Sequence, residues 1–333
     1  MAGIDRFALV WRNRRLVWLP TCLTGIVLAA ALPSSAFSLG LWSVLVTLAV
    51  SGIAILSASF LASKERLIFR KLGFMFDAVA QGIMITAIIV PLTYVAASYD
   101  FPLQDRIFYS ADRFVGFDHR AVFDLVNSHV GLANLLCLGY GMIAWPGLGV
   151  PIILSLSGRF VRLQQYMLAF SLSLIATAIA SIFFPAMGTY QYLGLSLEHY
   201  PNIYAPSYQA HINDLTFARS GTHRTLDLLN LRGIIMFPSF HAASAILYFW
   251  ALCPVRFFGP LALVCNTLML ISTPIFGGHY FVDVVAGVTV AAASIAVAKR
   301  LLAVPGSSEE NAPAAEDSRP RATGYGVAAQ ADG

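Results

Sequence analysis

The sequence predicts an all-α, polytopic integral membrane helix bundle of about eight spans. Three observations carry that prediction: the composition, the length of the apolar runs and the placement of the basic residues. Of the 333 residues, 58% are hydrophobic and only 11% charged, where soluble domains carry about 25% charged residues. The net charge of +4 weighs little on that background, and no nucleic-acid partner is expected. The four cysteines, Cys22, Cys137, Cys253 and Cys265, fall in apolar runs without metal-type spacing. They read as small core residues rather than a disulfide framework.

A helix needs roughly 20 apolar residues to cross the hydrocarbon of a bilayer. Runs at 17–33, 40–62, 74–98, 131–155, 166–186, 234–253, 257–277 and 279–301 meet or approach that length. The first is short and follows Arg12, Arg14 and Arg15, as a signal peptide would. A second long apolar run comes directly after it, which favours an uncleaved anchor. No internal repeat is evident. Residues 304–333 are rich in Ala, Pro, Glu and Asp and read as a disordered cytoplasmic tail.

Orientation follows from the basic residues. Arg6 to Arg15 precede the first span; Lys64, Arg66, Arg70 and Lys71 fill the second connection, and Arg159 and Arg162 the fourth. Arg256 lies in the sixth connection, Lys299 and Arg300 close the last span, and the first connection, PSSAFSLG, has no charge. Both termini are therefore expected in the cytoplasm. The long connections 99–130 and 187–233 are expected outside, which in a bacterial inner membrane is the periplasm.

That orientation brings three ionisable residues to one outer face: His241 in FPSFHAASAIL, and His279 and Asp283 in GGHYFVDVVAG. An aspartate near the centre of a span costs about 2.5–3.5 kcal/mol, so such residues need a reason. His279 and Asp283 stand at i and i+4, on one helix face. A carboxylate there can accept from one ring nitrogen and leave the other with its lone pair outward, which makes a nucleophilic or basic imidazole. Gly277 and Gly278 permit a tight turn into the last helix, and its N-terminus favours an anion such as phosphate. Pro238 and Ser239 give the His241 segment a similar start, the serine serving as a cap or as an anion ligand. Two histidines with different partners suit phosphoryl transfer, one attacking phosphorus and the other protonating the departing oxygen. Candidate phosphate-binding arginines are Arg219, Arg224 and Arg232, with Arg106, Arg113 and Arg120 behind them.

Other functions fit parts of this pattern. A His–Asp pair can be a satisfied buried pair, and the same pair can relay protons in a transporter. The polar groups sit at span ends rather than midplane, and transporters commonly show repeats. A zinc site drawn from HxxxD and one further histidine is a weak pattern, and no metal or other cofactor is expected.

The segments PSFHAASA and STPIFGGHYFVD resemble the second and third signatures, PSGH and SRxxxxxHxxxD, of the type 2 phosphatidic acid phosphatase superfamily. Phe240 in place of the signature glycine, and Ser272–Thr273 in place of Ser-Arg, resemble its inositol phosphotransferase branch, which includes inositol phosphorylceramide synthase. ADRFVGFDHRA (111–121), FFPAMGTYQ (183–191) and RSGTHRTLD (219–227) look like segments of bacterial members. The resemblance implies that His279 is a nucleophile forming a phosphohistidine, that Asp283 orients it, that His241 protonates the leaving group and that Ser239 contributes to phosphate binding. It implies a six-helix catalytic core without metal. The chain then divides into two N-terminal spans with a basic connection (1–73), the catalytic core (74–303) and the tail (304–333). The implied substrate is a membrane lipid, and the same phosphohistidine can be captured by an alcohol or polyol acceptor, giving head-group transfer, or by water, giving a simple lipid-phosphate hydrolase. Two features depart from the family pattern: there is no KxxxxxxRP signature, and Thr273 replaces the third-signature arginine. Arg219 is the leading substitute. Phe240 with Tyr190, Tyr192, Tyr200 and Tyr204 would keep water from the site.

Overall fold

A computed structural model describes residues 6–303; the tail predicted at 304–333 lies outside the described residues. In chain order the helices are α1 (Arg6–Ala31), α2 (Leu41–Ala62), α3 (Leu67–Ser98), α4 (Asp105–Phe114), α5 (His119–Asn127), α6 (Val130–Gly141) and α7 (Ala144–Leu156). They continue with α8 (Phe160–Phe183), α9 (Thr189–Leu193), α10 (Pro206–Arg219), α11 (Phe240–Leu252), α12 (Phe258–Phe276) and α13 (Phe281–Leu301). Two short strands, β1 (Phe37–Leu39) and β2 (Arg224–Leu226), pair in parallel. The protein is an all-α polytopic membrane protein, as the apolar runs predict.

The span count is lower than eight. Among the described residues six helices are long and apolar enough to cross a membrane: α1, α2, α3, α8, α12 and α13. A seventh span arises only if α5 and α6, bent by 112° to one another, count as one. The predicted run 131–155 is divided between α6 and α7, because the Gly and Pro residues between 139 and 151 lower its helix propensity. The run 234–253 is helical only from Phe240, because Pro238 lacks an N–H and Ser239, with extended backbone, is the N-cap.

Helix α8 is the central element. It packs against α1, α3, α11 and α13, and Leu163, Tyr166, Met167, Leu168 and Leu174 all belong to the main core. A helix surrounded in this way is apolar on every side. Gln164 of this helix donates to the Val10 carbonyl at 2.8 Å and Gln81 of the adjoining α3 to the Val17 carbonyl at 2.6 Å, whereas the buried Ser173 hydroxyl has no hydrogen-bond partner. Small residues let backbones approach where lipid offers no hydrophobic drive. A Cβ at Gly287 of α13 would lie 2.2 Å from the Ser239 carbonyl oxygen, so only glycine allows α13 to lie this close to the start of α11.

The connections collect at two ends. At one end β1, from the uncharged first connection, pairs with β2, from the 187–233 connection, in the register Phe37↔Arg224 to Leu39↔Leu226. The 99–130 connection joins them there, with Gln104 N–H on Pro185 O at 2.8 Å and Arg120 on Leu193 O at 2.7 Å. At the opposite end Lys71 donates to Leu156 O at 2.6 Å, and Arg159 to Pro254 O at 2.9 Å. The four cysteines are free, but Cys22 and Cys253 are exposed rather than in the core; on such a bundle the exposed apolar surface is where lipid lies. In a background lacking all four, Ser35→Cys and Ser220→Cys are expected to react with an impermeant thiol reagent from the same side of the membrane, and Ser63→Cys only from the other. Labelling of Ser35→Cys and Ser63→Cys from one side contradicts this arrangement.

Candidate active site

The turn between α12 and α13 positions the first histidine. Gly278 has φ +64°, and a Cβ there would lie 2.5 Å from the Tyr208 ring, so the predicted Gly-Gly turn is a steric requirement. Gly188 (φ +93°) backs against this turn, and the Gly278 carbonyl accepts from the Thr189 N–H at 2.9 Å. His279 follows, buried, with Nδ1 3.4 Å from Asp283 Oδ2. A neutral imidazole carries one N–H, so donation through Nδ1 to Asp283 leaves the Nε2 lone pair free.

Asp283 does more than orient the ring. Its Oδ2 accepts the Tyr280 N–H at 2.9 Å, capping the helix that carries it. The next two amides of α13, Phe281 and Val282, donate to Asp112 of α4 at 2.7 and 2.9 Å. Asp112 is buried and is also held by His119 Nε2 at 2.7 Å. A third buried carboxylate, Asp105, accepts from the Tyr280 hydroxyl at 2.8 Å and from the Met187 and Gly188 amides at 3.0 and 2.8 Å. The first free N–H groups of a helix attract negative charge, and here two side chains of the protein supply it. The sequence expectation that this N-terminus receives phosphate is therefore corrected, since its amides are already taken. Asp105, Asp112 and His119 were not singled out as site residues from sequence. Each lies more than 150 positions from α13, and only the tertiary fold brings them there.

His241 stands in the first turn of α11. Ser239 caps that helix, its Oγ accepting from the Ala242 N–H at 3.3 Å, and the Ser239 N–H donates to the Asp283 carbonyl at 3.0 Å. Ser239 thus serves as the cap; it is fully buried and does not line the cavity. Tyr140 stacks on the His241 ring at 4.2 Å with planes 7° apart, and the His241 and His279 rings lie 6.3 Å centroid to centroid. At that separation both rings can reach one phosphate group.

Both histidines open on a cavity of about 350 Å³, also lined by Tyr140, Phe240, Ser207, His211, Asp214 and Arg232. Of the candidate arginines, Arg232 is the one on this wall. Arg219 forms an ion pair with Asp100 at 2.5 Å and donates to Phe101 O at 2.9 Å, outside the cavity lining. Arg224 lies over Phe217 and 3.3 Å from Asp214, touching the cavity only through that carboxylate. Of the more distant arginines, Arg113 pairs with Asp118 and Arg120 holds Leu193 O. Thr273, at the signature arginine position, is buried with its hydroxyl on Met269 O at 2.7 Å. The tyrosines expected to exclude water also lie outside the lining: Tyr190 donates to Ile275 O at 2.7 Å, Tyr200 packs on Phe123, and Tyr192 and Tyr204 are exposed. His211 was missed by sequence reasoning because no motif surrounds it. Its Nε2 has no partner, and burial, with His279 as a second cause, pulls the ring down to about 4, so it is neutral. Among the described residues no group of three or more His, Cys, Asp or Glu side chains is placed to hold a metal ion.

A family model described as the PAP2 superfamily matches residues 106–297, more than half of the chain, from the first turn of α4 to within α13. The matched segment contains Asp112, His241, His279 and Asp283, and the match does not separate branches within the superfamily. Neither a curated protein nor a solved structure matches the chain. The cap by Asp112 yields a direct test. Asp112→Ala leaves two amides and His119 without their acceptor, so it is expected to lower stability by about 2 kcal/mol and to reduce turnover. Thermal unfolding in detergent checks this; an unchanged midpoint means that Asp112 does not hold α13.

Proposed function

This chain belongs to the PAP2 superfamily, and from that premise we propose that it transfers a phosphoryl or phospho-head-group from a membrane lipid through a covalent adduct on His279. Superfamily membership makes it an integral membrane enzyme of the phosphatase and phosphotransferase type. The observation that carries the finer proposal is the facing pair of histidine rings, 6.3 Å apart on one cavity, with a carboxylate behind one of them.

In the first half-reaction the Nε2 lone pair of His279 attacks phosphorus, the N–P bond forms and the ester P–O bond breaks. His241 gives its proton to the departing oxygen, and Asp283 strengthens its bond to Nδ1 as the ring gains positive charge. Asp283 Oδ1 has no hydrogen-bond partner, while Oδ2 is shared between the His279 ring and the Tyr280 N–H. Arg232 is the cation on the wall that can hold the phosphate oxygens. In the second half-reaction an acceptor oxygen attacks phosphorus, the N–P bond breaks and His241 recovers a proton from the acceptor.

The mixed lining supports transfer to an alcohol over hydrolysis: it combines the apolar Phe240, Leu174, Ile235 and Val90 with the polar Ser207, His211, Asp214 and Arg232. The polar group can bind the hydroxyls of a polyol while the apolar group limits water. The site sits at the end predicted from charge placement to face the periplasm.

His279→Ala is expected to abolish turnover, His241→Ala to lower it about 10²–10⁴-fold, and Asp283→Asn to leave weak activity, each with unfolding midpoints near wild type. Full activity in His279→Ala contradicts the covalent step. For transfer, purified enzyme is given a labelled phospholipid with inositol, glycerol or ceramide. Capture of the labelled group by one of them at millimolar levels, against water at ~55 M, is expected. Release of free phosphate or phospho-head-group alone, whichever acceptor is present, makes the enzyme a hydrolase.

A further inference from the structure

A second hollow adjoins the catalytic cavity. It measures about 380 Å³ and shares Thr86 and Val90 of α3 with that cavity. Its walls come from α2, α3, α7 and α8, with Leu228, Leu229 and Leu231 from the outer connection. From Val90 to Val79 the lining runs along α3 for about 16 Å at 1.5 Å per residue. It therefore leads from the histidines into the depth of the membrane.

No charged side chain lines this groove. The Thr47 hydroxyl is satisfied by Ser43 O at 2.8 Å. Two glycines keep the groove open from facing walls: Gly82 on α3, whose Cβ would find only Met167 Cε at 3.9 Å, and Gly147 on α7, whose Cβ would find only the Tyr248 hydroxyl at 3.8 Å. Leu148 is 54% exposed and Leu229 53% exposed at its rim, as suits an opening to lipid. Helices α2 and α3 precede the segment matched by the family model, so the wall they supply belongs to a part of the chain that the match does not account for, while α7, α8 and the outer connection lie inside it.

We propose that this groove holds a hydrocarbon chain of the lipid substrate while the phosphate lies between His241 and His279. The proposal rests on the lipid-phosphate reading of the site. Inside a bilayer an apolar groove gains little from the hydrophobic effect, because lipid tails are as apolar as the protein. What it supplies is position. A chain held along α3 fixes the depth and orientation of its head group, and reactivity depends on placing phosphorus within near-attack distance of Nε2. The shared residues Thr86 and Val90 mark where chain gives way to head group.

The test compares a long-chain lipid phosphate with a water-soluble short-chain analogue of the same head group, on full-length enzyme in lipid nanodiscs. Gly82→Leu and Gly147→Leu fill the groove from opposite walls. Gly52→Leu, on α2 outside the lining and with nothing within 4 Å of its Cβ, is the control. Both groove variants are expected to raise KM for the long-chain substrate about tenfold and to leave short-chain kcat/KM within about twofold; the control changes neither. A lipid with a photoreactive group at its chain end is expected to label the α3 segment containing Gly82 in wild type and to lose that label in Gly82→Leu. Unchanged long-chain kinetics in both variants, or labelling elsewhere, overturns the groove. Equal loss on both substrates with an unchanged unfolding midpoint also overturns it, since the hollow would then only shape the catalytic cavity. Failure of the wild type on both substrates instead removes the lipid-phosphate reading.

Discussion

The site depends on two carboxylates at the start of α13. Asp283 and Asp112 between them take the amides of Tyr280, Phe281 and Val282, so the dipole end of a membrane helix is neutralised inside the protein. His279 immediately precedes that cap. Its ring direction is fixed because the backbone before it is a steric Gly-Gly turn and the backbone after it is held from two sides. Asp105 extends the same logic by tying Tyr280 to the Met187–Gly188 amides, which brings the 187–233 connection over the turn. The short helix α4, which carries Asp105 and Asp112, is thus a clamp on the last helix.

Neutralising the helix end has a consequence for chemistry. A phosphate arriving at His279 finds the amides of α13 occupied, so attraction must come from the cavity wall. Arg232 is the arginine on that wall, and Asp214, which also lines it, pairs with Arg224. On the proposed reading the site separates orientation, which lies behind His279 in buried carboxylates, from substrate attraction, which would come from the loop that carries Arg232.

Much of this was legible in the sequence where local spacing carries it. The closeness of His279 to Asp283, the Gly277–Gly278 turn and the Pro238–Ser239 helix start each depend on a few consecutive residues, and each is present; the expected shared helix face is not, because α13 begins at Phe281 with Tyr280 as its N-cap and His279 precedes it. The long spans were legible because twenty apolar residues in a row leave little alternative. Less legible was everything set by distant partners. Phosphate binding at the α13 N-terminus followed from helix physics alone, and it gave way to a carboxylate from α4. Arg219 ranked first among the arginines from its place in a motif, yet Asp100 holds it outside the cavity. Tyr190, Tyr192, Tyr200 and Tyr204 were grouped by composition, and the fold scatters them between core and surface. The runs 131–155 and 234–253 had the apolarity of spans, but Gly and Pro divided one and shortened the other.

The central claim is that the capped turn presents His279 as the nucleophile. The most direct measurement mixes enzyme with a phospholipid labelled at phosphorus, quenches in alkali within milliseconds and maps the label by peptide sequencing. An acid-labile adduct on the peptide containing His279, formed at the rate of leaving-group release and reaching one per enzyme, is the predicted result. A burst of leaving group with label on His241, or product formed with no adduct at any time, would contradict the account.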